Sequence, residues 1–171
     1  MELKPYLVHI QTMLKGLLTL IGRDLKVIYC VMDGAFGHNN ALQMVQQCSL
    51  HLISKLRGDA ALYLPYEGPQ KKRGANKKYG DKLNYDHIPD KYLKEASLVD
   101  GIQTNIYQMK MWHKLFPDLL NIVIIVKINL KTQACAHILL FSSDLELAYD
   151  KLIDYYRLRF QIEFNFRDAK Q

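Results

Sequence analysis

Residues 27–57, VIYCVMDGAFGHNNALQMVQQCSLHLISKLR, decide the fold class. The run VIYCVMD (27–33) is continuously apolar and rich in β-branched side chains until Asp33 ends it. That pattern suits a strand covered on both faces, at the centre of a mixed sheet. After GAFGHN, the segment NALQMVQQCSL reads as a helix with Asn39 or Asn40 as its N-cap. LHLISKLR (50–57) is a second buried strand. Upstream, residues 4–21 read as a helix, with Pro5 early, Leu7, Ile10, Leu14, Leu17 and Leu18 at helical spacing, and Gly22 after them. Helix, strand, helix, strand indicates an α/β domain.

The character changes after Gly58. Residues 66–91 are dense in Gly, Pro, Lys and Asn and carry the basic cluster Lys71, Lys72, Arg73, Lys77, Lys78 and Lys82. This cluster reads either as a solvated loop or as a DNA contact. Three β-like runs follow near 102–113, 119–129 and 134–142, separated by turn-like FPD and NLKTQ. Tyr107 and Trp112 within them read as core rather than as base-stacking platforms. A last helix begins at Ser143 or Asp144, where Ser143-x-x-Glu146 fits a capping box.

That helix ends in YYRLRFQIEFNFRDAKQ (155–171), which carries Tyr156, Arg159, Glu163 and Lys170. At about 100° per residue these four project near 0°, −60°, −20° and −40°, one narrow stripe. A phenol, a guanidinium, a carboxylate and an ammonium on one stripe suit a metal-bearing acid beside a nucleic-acid strand. The plainer alternative pairs Glu163 with Arg159 or Arg167 on the helix surface and packs Tyr156 on the sheet.

The chain has 171 residues, of which 49% are hydrophobic, so it can bury one good core. A formal charge of +6 favours a polyanionic partner. Cys30, Cys48 and Cys135 have neither an even count nor metal spacing, which points to reduced thiols. The six histidines form no short ligand pattern, and His38 reads as a loop-surface residue. No secretory leader and no run of about 18 apolar residues is visible, so a cytoplasmic protein without a membrane span is expected.

The spacing Tyr-x2-Arg-x3-Glu-x6-Lys, together with Asp33 followed by Gly34, Ala35 and Phe36, resembles the DDE transposases of the insertion-sequence-four type, a bacterial cut-and-paste family. The resemblance runs from about residue 17 to 171. It implies a partial ribonuclease-H-like core over 1–57, a β-rich insertion over 58–143, and a core helix over 144–171 carrying Glu163. It implies further that Asp33 and Glu163 are catalytic acids binding two Mg²⁺ ions, which clamp the attacking and leaving oxygens of a phosphodiester. Tyr156, Arg159 and Lys170 then contact double-stranded DNA at the transposon ends, and the intact enzyme acts as a homodimer.

Two departures accompany the resemblance. Phe160 stands where many relatives have Trp after the signature Arg. The family's first aspartate has no match, because Asp24, in GRDLK, is the only acid between the first helix and Asp33. The expectation is therefore a C-terminal part of a transposase catalytic domain, truncated at both ends and inactive alone. The alternatives are a non-catalytic DNA-binding remnant and a degenerate product that does not fold.

Overall fold

A computed structural model describes residues 2–21 and 25–168, with side chains through residue 161. The elements run α1 (Pro5–Ile21), β1 (Tyr29–Val31), a 3-10 turn (Gly34–Phe36), α2 (Asn39–Gln46), β2 (His51–Leu56), β3 (Leu62–Pro65) and β4 (Tyr79–Lys82). A second 3-10 turn (Asp90–Tyr92) leads into β5 (Leu93–Val99), β6 (Ile102–His113), β7 (Leu120–Asn129), β8 (Cys135–Ser142) and α3 (Tyr149–Asp168). Among the described residues the architecture is mixed α/β, three helices against one mixed sheet.

The sheet has eight strands in the order β1-β2-β8-β7-β6-β3-β4, with β5 also pairing β6. β1 and β2 are parallel, joined through α2, and their register sets Val31 opposite Ile53. The other pairings are antiparallel. β2 pairs β8 with Ile53 opposite Ser142 and Leu56 opposite Leu139. The segment 58–143 is thus hydrogen-bonded into the same sheet as the strand–helix–strand unit. Asp100 (φ 51°) and Gly101 (φ 75°) are both left-handed, which gives the tight β5–β6 turn a twist matching its strands.

Alternation of side chains sorts the sheet into two faces. On one, Leu52, Leu56, Met109, Met111, Ile122, Ile124, Leu139 and Phe141 pack under α2 and Leu7 of α1. On the other, Ile53, Val123 and Leu140 meet Leu147, Leu152, Ile153 and Tyr156, the last three from α3. Burying a side chain such as Leu152 or Ile153 contributes about 1.5–3 kcal/mol. That second cluster is what fixes α3 on the sheet.

Three local expectations are corrected. The N-cap of α2 is His38, whose Nδ1 accepts from the Ala41 N–H at 3.2 Å. Asn40 is buried instead, accepting from the Lys4 N–H at 3.0 Å and donating to the Glu2 carbonyl at 3.1 Å. The capping box at Ser143 does not form, because the Ser143 hydroxyl accepts from the Leu52 N–H at 3.1 Å, tying the turn to β2. α3 starts later, at Tyr149.

The turn between β8 and α3 is held by polar groups that alternation buries. Asn121, 1% exposed, donates to the carbonyls of Asp144 (3.0 Å) and Leu147 (2.8 Å). Gln108 donates to the same Leu147 carbonyl at 2.8 Å and to Asn121 Oδ1 at 3.0 Å. Asp144 also accepts from the Tyr29 hydroxyl at 2.7 Å, strapping the turn ahead of α3 to β1. That hydrogen bond, with burial, pushes the Tyr29 phenol up to about 12. Burial opposes ionisation of Asp144, but the Tyr29 and backbone N–H donors outweigh it and hold its carboxyl below the ordinary range.

Candidate nucleic-acid and metal site

Asp33 follows β1 and caps the 3-10 turn, its Oδ1 accepting from the Ala35 N–H at 3.0 Å. The Ser54 hydroxyl donates to the Asp33 carbonyl at 2.8 Å. Gly37 completes the turn: a Cβ there would lie 2.1 Å from the Lys55 carbonyl oxygen, so only glycine lets this loop lie against β2. Parallel pairing then carries Asp33 to the C-terminal ends of β1 and β2, where open α/β sheets gather ligands.

Across from it comes α3. Arg159 Nη1 lies 2.9 Å from Asp33 Oδ2, with the arginine side chain 16% exposed and the aspartate 52% exposed. The guanidinium carbon sits 4.4 Å from the Phe160 ring centre and 5.6 Å from that of Tyr156. Two rings therefore hold Arg159 while its fork points at a carboxylate that still meets solvent. Tyr156 is 8% exposed and belongs to the cluster under α3, so its ring serves packing first.

An open cleft of about 990 Å³ extends from this pair over the part of the sheet that α3 leaves uncovered. Ile106, Ile125, Ile138 and Leu140 line it together with Tyr156, and Lys55, Arg57, Lys127, Arg157 and Arg159 add cations. Asp59 and Glu95 are the other acids on its wall. Arg57 is taken up by Asp59 at 3.1 Å and Arg157 by Asp154 at 3.8 Å.

The sequence-predicted residues fare differently. Asp33 and Arg159 meet, and Tyr156 lies beside them. Glu163 belongs to α3 one turn beyond Arg159, with its side chain outside the described residues, and Lys170 and Asp24 lie outside them altogether. His38 turns away to α1, its Nε2 3.4 Å from the Tyr6 hydroxyl. Lys55 and Lys127 are not singled out by the sequence reading, although each is the one lysine of a mainly apolar strand, HLISKL and LNIVIIVKIN. Such a charge on a half-covered face marks where the cover stops.

Asp33 offers the hard oxygen that Mg²⁺ prefers, and this ion commonly takes only one or two protein carboxylates beside water and phosphate oxygens. Among the described residues no three His, Cys, Asp or Glu side chains gather closely enough to hold a metal by themselves. No helix among them is long and apolar enough to cross a membrane.

A family model described as DDE superfamily endonuclease matches residues 10–116, more than half of the chain. The chain belongs to the DDE superfamily endonucleases. The matched stretch includes most of α1, Asp33, α2 and the strands through β6, and it ends before β7 and α3. No curated protein and no solved structure matches the chain significantly. Membership points to a function of the transposase or nuclease type, in a family whose substrate is DNA and which generally uses divalent metals.

Proposed function

We propose that this DDE superfamily endonuclease chain is the C-terminal part of a cut-and-paste transposase catalytic domain of the insertion-sequence-four type. The contact that carries the reading is Arg159 on Asp33, at 2.9 Å, on the wall of a cation-lined cleft. On this reading Asp33 and Glu163 are the metal-binding acids, and Tyr156, Arg159 and Lys170 face transposon-end DNA. On this reading strands β3 to β8 elaborate a ribonuclease-H-like core to which α1, β1, α2, β2 and α3 belong. The intact bacterial enzyme works in the cytoplasm as a homodimer on paired double-stranded ends.

Mg²⁺, when bound, relieves charge on the phosphorane-like transition state and activates the attacking hydroxyl or water. Asp33 contributes an oxygen ligand fixed by its own hydrogen bond from the Ala35 N–H. Arg159, pre-oriented between Tyr156 and Phe160, exchanges Asp33 for a phosphate and grips it through two parallel N–H donors. Lys55, on the cleft wall beside Asp33, adds a point charge to the strand's path.

A second reading, a non-catalytic DNA-binding protein, is favoured for this chain on its own. The family's first aspartate, for which the sequence offers no match, is the carboxylate that two-metal cleavage would lack. The test is duplex binding by fluorescence anisotropy over a salt series, beside nicking of supercoiled plasmid in Mg²⁺. Salt-sensitive binding without nicking is expected, with Arg159→Ala weakening binding and lowering the salt slope by about one. Absence of duplex binding at low salt overturns both readings, and nicking by the chain alone overturns the second.

A further inference from the structure

At the opposite margin of the sheet from Asp33, β3, β4 and the end of β6 form a small patch with its own chemistry. Tyr63 on β3 is register partner of Trp112 on β6 and of Lys82 on β4, so the three share a face. Tyr79 completes an aromatic row: its ring lies 5.6 Å from Tyr63 and 6.0 Å from Trp112, edge-on to both. All three rings are partly exposed, whereas Leu62, Leu83 and Met111 are buried.

Lysines cover these rings. Lys78 Nζ sits 5.2 Å above Trp112, Lys114 Nζ 4.9 Å above Tyr63, and Lys77 Nζ 4.3 Å above neighbouring Tyr66. Holding exposed ammonium groups over ring faces is worth about 0.5–1 kcal/mol each in water, so a competing ligand displaces them readily. Trp112 therefore departs from the sequence expectation of core, while Tyr107, 9% exposed, fulfils it.

We infer that Tyr63, Tyr79 and Trp112 form a platform for single-stranded DNA, separate from the Asp33 site and independent of any metal. Charge complementarity selects a polyanion, and the endonuclease family selects DNA. Rings of moderate exposure on a sheet face select unpaired bases, whose π-faces a duplex hides. In the bound state bases stack on the rings while Lys77, Lys78, Lys82 and Lys114 swing to the phosphates. The platform stands five strand spacings from β1, about 24 Å at the usual interstrand distance, on the same face of the sheet as Asp33. One strand can run across that face from one site to the other.

The chain's single tryptophan is its own reporter. The 171-residue protein is titrated with a dT20 oligonucleotide in EDTA while Trp112 emission is followed. Quenching that saturates with binding is expected, whereas an abasic oligonucleotide of equal length and a duplex should leave the emission near its starting level. Tyr79→Ala should weaken dT20 binding about tenfold, the scale of one lost stacked base. Lys78→Ala and Lys114→Ala, both surface changes that leave the core intact, should weaken it several-fold. Lys131→Ala, an equal loss of charge in the exposed turn between β7 and β8, should leave the quenching curve unmoved, which separates the ring-bound lysines from the general positive charge of the chain. Equal quenching by duplex, or tight dT20 binding with unchanged emission and no response to the lysine variants, overturns the inference.

Discussion

Replacing Asp33 by asparagine should tighten binding of duplex DNA when no divalent metal is present. Asp33 holds Nη1 of Arg159 at 2.9 Å, so a phosphate must compete with it for that donor. With the aspartate 52% exposed and the arginine 16% exposed, solvent screens the pair substantially. A value of about 1 kcal/mol, the top of the range for exposed pairs, is appropriate. Releasing it corresponds to a gain of about fivefold in affinity, since 1.4 kcal/mol is tenfold. Removing any negative charge near a phosphate helps somewhat, so a double-mutant cycle is required. Fluorescence anisotropy in EDTA would compare wild type, Asp33→Asn, Arg159→Ala and the double variant. The gain from Asp33→Asn should shrink by more than half in the Arg159→Ala background. A full gain without Arg159, or an Asp33→Asn protein that binds no better than wild type, refutes the competition.

Two further outcomes concern the scaffold. Gly37→Ala forces a methyl to within 2.1 Å of the Lys55 carbonyl and should cost about 1–3 kcal/mol, visible as a lower midpoint in denaturant; an unchanged midpoint removes the close approach as a constraint. Tyr29→Phe deletes the 2.7 Å strap to Asp144 and should cost about 1 kcal/mol near neutral pH. The signs are fixed by the two shifts. Tyr29, pushed up to about 12, contributes below pH 10 and loses its contribution as pH rises towards 12. Asp144, held below its ordinary 3.8, contributes above that value and loses its contribution as pH falls below it. Thermal unfolding across pH should therefore show wild type and Tyr29→Phe converging at both extremes, and a constant difference at every pH contradicts the strap.

Much of the fold was legible because local pattern decided it. The runs near 102–113, 119–129 and 134–142 became β6, β7 and β8 almost as drawn, their length and branched residues leaving little competition. VIYCVMD kept only its centre as strand, since Asp33 and the tight loop at Gly37 take over its end. Caps differ from the local pattern where a distant partner takes the capping group. Ser143 has the residue type of a helix start, yet the Leu52 N–H across the sheet takes its hydroxyl. Asn40 fits an N-cap by type, yet the Lys4 and Glu2 backbone recruits its amide.

The same nonlocality governs the site. The stripe on the last helix pointed to Arg159, and the end of VIYCVMD pointed to Asp33, but only sheet pairing brings them together. Continuity of the sheet through the β2–β8 seam was hidden for that reason, because nothing near residue 53 announces a partner at 142. The platform at Trp112 was hidden by a different cause. Alternation along β6 says which face Trp112 takes, but not that α3 stops short of covering it.

On the proposed reading Asp33 and Glu163 share one divalent cation, and hydroxyl radicals generated at that cation report it most directly. Fe²⁺ is substituted for Mg²⁺, ascorbate and peroxide are added, and the cut peptide bonds are mapped by mass spectrometry. Cuts should fall both in the turn at Asp33 and in α3 around Glu163, and Asp33→Asn should abolish the two together. Cuts at only one of these places, or a pattern indifferent to Asp33→Asn, contradict the shared site.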